Sequence, residues 1–171
     1  MTKLYEEIYK LKNLQRSGWL MKNAHDKNSG RVESDAEHTF SMAVLALEII
    51  NKEKLDLDTE KVLKMIVYHE LGEIDVGDFT PYDNITKQEK YELEKQCIAR
   101  LANENDMPEI LDLWVEYEAC ESPEAQFVDE IDRLDAVLQS KIYSKEVDND
   151  KIFVEFYTRA QKIADKYKKY L

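Results

Sequence analysis

A chain that builds β-sheet reverses direction often, and tight reversals draw on glycine and proline. This one has only four Gly and three Pro in 171 residues. Turns that scarce leave long helices as the available architecture, and an abundance of Leu, Ala, Glu and Lys favours the same choice. With 43% apolar and 35% charged residues the mixture is that of a globular protein, and the length suits one domain with a substantial core rather than two. The expectation is an all-α fold in a single domain over residues 1–171.

Apolar periodicity divides the chain into about seven helices. Leu4, Ile8, Leu11 and Leu14 predict an amphipathic helix over 2–16, and the aperiodic polar stretch 22–31 is a loop. Ser34 followed by Glu37 has the pattern of a capping box, so a second helix starts there, with Phe40 to Ile50 largely buried. Asp58 or Thr59 caps a third, carrying Val62, Met65, Ile66 and Tyr68 inward and stopping around Gly72. Residues 73–83, with Gly77, Pro81 and Tyr82, form a second loop. A charged helix over 86–104 turns Leu93, Cys97, Ile98 and Leu101 inward. Pro108 and Pro123 open helices to about Ala119 and Glu146, and a last helix covers roughly 150–169.

The formal charge of −12 repels polyanions, which argues against a nucleic-acid polymer or an anionic membrane surface as partner. A small anion is still admissible, because a bound metal reverses the local potential. Cys97 and Cys120 lie apart without CxxC spacing and read as reduced packing residues. The N-terminal segment lacks a signal-peptide core, and the longest apolar run is too short to span a bilayer, so the expected location is cytoplasmic.

No GxSxG, HExxH, P-loop or Gly-rich dinucleotide turn is present. The chemistry available is His, Asp and Glu at helix ends beside the two loops. His38 starts the second helix, His69 and Glu70 end the third, Glu73 and Asp78 follow, and Asp132 borders an apolar face of the sixth. Two imidazoles and two carboxylates from three helices suit a divalent transition metal. Taken singly, each has an ordinary alternative. His38 and His69 can be hydrogen-bonded structural histidines, Asp78 can close an Asx turn, and Glu73 can be a solvated helix-end carboxylate. Glu70 can ligate a metal or pair with an arginine, Trp19 can be core or stack on a ligand, and Arg16 can end the first helix in a surface ion pair. His25 reads as a solvated loop histidine, and Trp114 and Tyr117 as core.

In combination and order, RSGW at 16–19, ESDAEH at 33–38, YHELGEIDVGDFTP at 68–81 and EAQFVDEIDRLDAV at 124–137 resemble the HD-domain phosphohydrolases, within them the small 5′-deoxynucleotidase-like branch. The resemblance covers about residues 4–142. It implies an HD-type helical bundle and metal ligation by His38, His69, Glu70 and Asp132. It also implies that Glu73 activates water, that Asp78 helps hold the nucleotide, and that Arg16 and Trp19 meet phosphate and sugar or base. A homodimer follows from the same resemblance. The family's eponymous His-Asp pair is His69-Glu70 here, which keeps the charge and moves the oxygens out by one methylene. A literal His25-Asp26 pair falls outside the matching motif.

The resulting expectation is hydrolysis of nucleoside 5′-monophosphates, deoxy preferred, with one divalent ion among Mn, Co, Fe, Ni and Zn. Glu73, with Asp78 as second candidate, accepts the proton of water, and Arg16, helped by Lys22 or Lys87, balances phosphate charge. Two alternatives stand beside it: a nucleoside triphosphate hydrolase on the same fold, which needs more cations, and a nucleotide-binding regulator that has lost turnover.

Overall fold

The computed structural model describes residues 2–80 and 83–171. The Pro81-Tyr82 part of the second expected loop lies outside them. Among the described residues there are helices and no strands. In chain order the helices are α1 (Lys3–Asn13), α2 (Ser17–Met21), α3 (Asp35–Glu53), α4 (Thr59–Tyr68) and α5 (Glu73–Val76). Then come α6 (Lys87–Glu104), α7 (Glu109–Ala119), α8 (Pro123–Glu146), α9 (Asp150–Arg159) and α10 (Gln161–Lys166), with a final 3-10 turn at Lys168–Tyr170. All seven expected helical segments are present. The additions are short.

The N-terminal segment departs from expectation for a visible reason. Instead of one helix over 2–16, the chain leaves α1 after Asn13 and runs extended. Arg16 N–H donates to the Glu33 carbonyl (3.1 Å), and Asp35 N–H donates to the Leu14 carbonyl (3.0 Å). These bonds strap the entry to α2 against the entry to α3. Glu73 opens α5 where a loop was expected, because the turn 69–72 after α4 leads directly into another helical turn. The last segment breaks at Ala160 into α9 and α10.

Helix starts follow local chemistry. Ser34 accepts from Glu37 N–H while the Glu37 carboxylate accepts from Ser34 N–H, a complete capping box. Asp58 and Ser122 cap α4 and α8 by accepting from the Lys61 and Ala125 N–H groups, and Pro123 occupies the first turn of α8. The main core joins α3, α4 and α8 through Met42, Ala46, Ile49, Val62, Ile66, Val128, Ile131 and Leu134. A second cluster, centred on Ile98, Leu101, Ile110 and Trp114, joins α6 and α7 to the end of α4. Each fully buried aliphatic or aromatic side chain contributes about 1.5–3 kcal/mol.

Two burial expectations fail. Phe40, Val44 and Leu47 are exposed, because α3 packs through its Met42–Leu45–Ile49 face and turns this stripe outward. Leu93 is likewise on the outer face of α6. The core geometry brings the first turn of α3, the end of α4 and the middle of α8 to one place.

Candidate metal centre and the adjoining cleft

His38 is completely buried in the first turns of α3. Its Nδ1 lies 2.8 Å from Asp135 Oδ2, so this nitrogen carries the hydrogen and Nε2 turns toward the centre. There Nε2 is 3.1 Å from Asp132 Oδ1 and 3.7 Å from Glu70 Oε1. His69, the residue that closes α4, repeats the arrangement: Nδ1 donates to the Ile66 carbonyl at 2.7 Å. Its Nε2 is buried without a hydrogen-bond partner, although Glu70 Oε1 lies 3.3 Å away. Both imidazoles are thus held by one nitrogen and offer the other. His38, His69 and Glu70 present ligand atoms all within 4.8 Å of one another. The extra methylene of Glu70 leaves its oxygen within reach of both rings.

The electrostatics agree with a cation site. Burial and Arg16 work against a charged His38, yet the hydrogen bonds to Asp132 and Asp135 push its pKa up to about 10. Burial works to raise the Glu70 pKa, but His69 and Arg16 hold it well below the usual carboxylate range. Asp132, half-buried, is lowered through His38 against the same opposition from burial. Acceptors that favour a proton on His38 also favour a divalent ion among them. An unpartnered buried Nε2 with two converging carboxylates fits a divalent transition metal.

Above this centre the N-terminal strap contributes Arg16, whose Nη1 lies 2.6 Å from Glu70 Oε1 and 3.9 Å from Asp35 Oδ1. Glu73, at the first turn of α5, is buried and has Lys90 Nζ 3.3 Å from Oε1. Burial and the neighbouring Glu70 charge raise its pKa well above the ordinary value. Asp78 does not close an Asx turn; it accepts from the Ser17 N–H at the start of α2, which ties the second loop to the first. Burial raises its pKa as well.

These groups line two adjoining spaces. A polar chamber of about 210 Å³ is walled by Arg16, His69, Glu70, Glu73, Asp78, Lys90, Asp132 and neighbours. A larger cavity of about 460 Å³ shares Arg16, Asp78 and Phe79 with it and continues along Met21, Lys22 and Phe156.

Trp19 is part of that larger wall, but it is a core residue. It is 2% exposed, its Nε1–H donates to Glu33 Oε1 at 2.7 Å, and Phe156 stacks on it at 4.4 Å. The expected free stacking face is therefore taken by the protein itself. Lys22 lines the larger cavity with its ammonium 2.6 Å from Glu155. Lys87 is exposed on the outer face of α6 and does not line the polar chamber; Lys90, one turn on, does. His25 bonds the Asn23 carbonyl in the first loop and takes no part in the cluster. Tyr117, expected in the core, sets its ring edge-on against His69 at 5.5 Å.

Sequence reasoning missed Asp35, Lys90 and Asp135. Asp135 had a usable signal, since it lies one helical turn after Asp132 on the same side of α8. Asp35 resembled an ordinary acidic residue of a first turn, and Lys90 resembled one more charge on a solvated helix.

The whole arrangement lies within residues 8–170, which match the HD domain family. A 5′-deoxynucleotidase, HDDC2, from Dictyostelium discoideum is 39% identical over 145 residues, covering 80% of this chain and 74% of that protein. The crystal structure of the PH0347 protein from Pyrococcus horikoshii superposes with a TM-score of 0.72 at 33% identity, covering 93% of this chain and 88% of that one. A predicted metal-dependent phosphohydrolase from Magnetospirillum magnetotacticum gives 0.69 at 27% identity, over 95% of this chain and 88% of that one. The chain belongs to the HD-domain family.

Proposed function

We propose that this protein hydrolyses deoxynucleoside 5′-monophosphates to nucleoside and phosphate. One divalent ion among Mn, Co, Fe, Ni and Zn would be held by His38, His69, Glu70 and Asp132. The carrying observation is the contiguity of the two spaces. A polar chamber at the proposed metal centre shares Arg16, Asp78 and Phe79 with a larger cavity of mixed, mainly apolar lining. A phosphate fits the first, and a sugar and base fit the second. The name of the Dictyostelium relative agrees with this reading.

When bound, the ion supplies Lewis-acid stabilisation of charge on a phosphoryl oxygen. Glu73 orients a water and accepts its proton. The water oxygen forms the new bond to phosphorus, the bond to the 5′ oxygen breaks, and that oxygen takes a proton from solvent to leave as the nucleoside hydroxyl. Arg16 turns its guanidinium from Glu70 to the phosphate. Asp78, fixed by Ser17, accepts a sugar hydroxyl and sets the position of the nucleoside. Since the Trp19 face is occupied by Phe156, base discrimination rests on the shape of the cavity rather than on a stacking platform.

Monophosphates are favoured over triphosphates by charge. The polar chamber carries two cations, Arg16 and Lys90, against the carboxylates of Glu70, Glu73, Asp78, Glu94, Glu118 and Asp132. One phosphate group is compatible with that balance; two more are repelled. We also propose that residues 1–171 form one HD-type domain acting as a cytoplasmic homodimer. No described helix is long and apolar enough to cross a membrane.

The test is phosphate release from a panel of ribo- and deoxynucleotides, with each candidate metal added in turn. Deoxynucleoside 5′-monophosphates should lead, with several bases accepted. A triphosphate outpacing every monophosphate, or silence on all nucleotides with metal bound, would overturn the proposal in favour of the triphosphohydrolase or the regulator.

A further inference from the structure

The proposed mechanism leaves one cation of the polar chamber without a task. Lys90 lies on the inward side of α6, its Nζ 3.0 Å from Glu94 Oε1 and 3.3 Å from Glu73 Oε1. Glu94 is itself buried. A half-buried ammonium with two carboxylate partners still has a third N–H to donate, and Lys90 lines the same small chamber as Arg16, His69 and Glu70. The helix carrying it is held unusually close: a Cβ on Gly72 would lie 2.8 Å from the Glu94 Cβ, so only glycine in the turn before α5 lets α6 approach. That close approach places Lys90 and Glu94 beside Glu73.

Resting on the monophosphatase reading, we infer that Lys90 is a second phosphate-binding cation of this cleft, and that Glu94 is a positioning residue that holds its ammonium in place. Arg16 reaches the chamber from the N-terminal strap and Lys90 from α6, so the phosphate would be gripped from two separate elements. The chamber's excess of carboxylates supplies the need. An anion entering among six acidic side chains requires more than one cation of the chain itself. Lys90 is the remaining one on its wall.

The alternative is that Lys90 only neutralises Glu73 and Glu94. The two are separable by ligand. Lys90→Met keeps the length of the side chain and removes the charge, and Lys90→Met combined with Glu94→Gln guards against misfolding from an uncompensated carboxylate. Affinity for inorganic phosphate and for a deoxynucleoside lacking phosphate would be measured by competition and, independently of turnover, by calorimetry on the metal-loaded protein. Losing one charge-assisted hydrogen bond should weaken phosphate about tenfold or more, raise KM for the monophosphate similarly, and leave nucleoside affinity unchanged. Lys90→Arg should recover most of the phosphate affinity. Unchanged phosphate affinity with a lower kcat would overturn the inference, as would equal weakening of phosphate and nucleoside. If wild-type protein cleaves no monophosphate, the functional reading fails, while calorimetry still decides whether Lys90 binds phosphate.

Discussion

Asp35 is a carboxylate whose environment can be weighed directly. It is completely buried at the start of α3, both of its oxygens lack a hydrogen-bond partner, and the nearest cation, Arg16, stays 3.9 Å away. Burial and the charge of Glu70, opposed by Arg16, push its pKa up to about 8 from an ordinary 3.8. A group whose folded-state pKa is raised binds its proton more tightly folded than unfolded. Its contribution to stability is therefore greatest below pH 4 and is lost as pH rises through the folded value.

Between pH 5 and pH 7 the unfolded chain has released this proton and the folded chain has kept it, so each pH unit removes about 1.4 kcal/mol. Asp35→Asn is nearly isosteric and has no proton to lose. Relative to wild type, the variant should gain about 3 kcal/mol between pH 5 and pH 7, and the difference should level off above pH 8. Urea unfolding in EDTA, followed by far-UV circular dichroism at each pH, measures it. Titrating groups that do not interact with Asp35 cancel in the comparison, and those around it, Glu70, Arg16, Asp78 and His38, are the ones its removal also shifts. A variant-minus-wild-type difference that does not change with pH would refute the reasoning.

Three further outcomes follow from the same geometry. His69→Ala should lose divalent-metal occupancy, read by elemental analysis after dialysis, while circular dichroism stays close to wild type; full occupancy would exclude the proposed centre. Glu73→Gln removes proton acceptance at nearly constant shape, so kcat should fall by about 10²–10⁴ with metal and nucleotide affinities little changed. Near-normal turnover would transfer the role to Asp78. Gly72→Ala places a methyl against α6, which should cost about 1–3 kcal/mol of stability and reduce activity together. Unfolding identical to wild type would show that α6 yields easily.

Helices with strong periodicity or caps were legible in the sequence, because Ser34–Glu37 and Asp58 act through neighbours three residues away. The break at Leu14–Arg16 was not legible, since its cause is a pair of backbone bonds to residues 33–35, and backbone groups leave no mark in side-chain spacing. The same distinction divides the site. His38, His69 and Glu70 come together from helix ends, and Asp132 reaches His38 from the middle of α8. Trp19 was ambiguous because either outcome buries an indole, and only Glu33 and Phe156 decide which surface it meets. Lys90 was invisible for a different reason. Its neighbours Gln88, Glu89 and Glu92 are exposed, and nothing in that charged stretch marks the one lysine that the Gly72 approach turns inward.

The strap between residues 14–16 and 33–35 divides labour within the chain. The histidines and carboxylates of the proposed metal centre stand on α3, α4 and α8, which pack on one another through the main core. Arg16, Ser17 and much of the wall of the larger cavity are attached to that block by a few backbone bonds and by a separate small cluster in which Trp19 and Ile152 meet Tyr143 of α8. Substitutions at exposed cavity-lining positions of α2, such as Met21, can therefore reshape what the cavity accepts while leaving the ligand-bearing block untouched. A molecule built this way can change its preferred substrate over generations without first dismantling the centre that performs the chemistry.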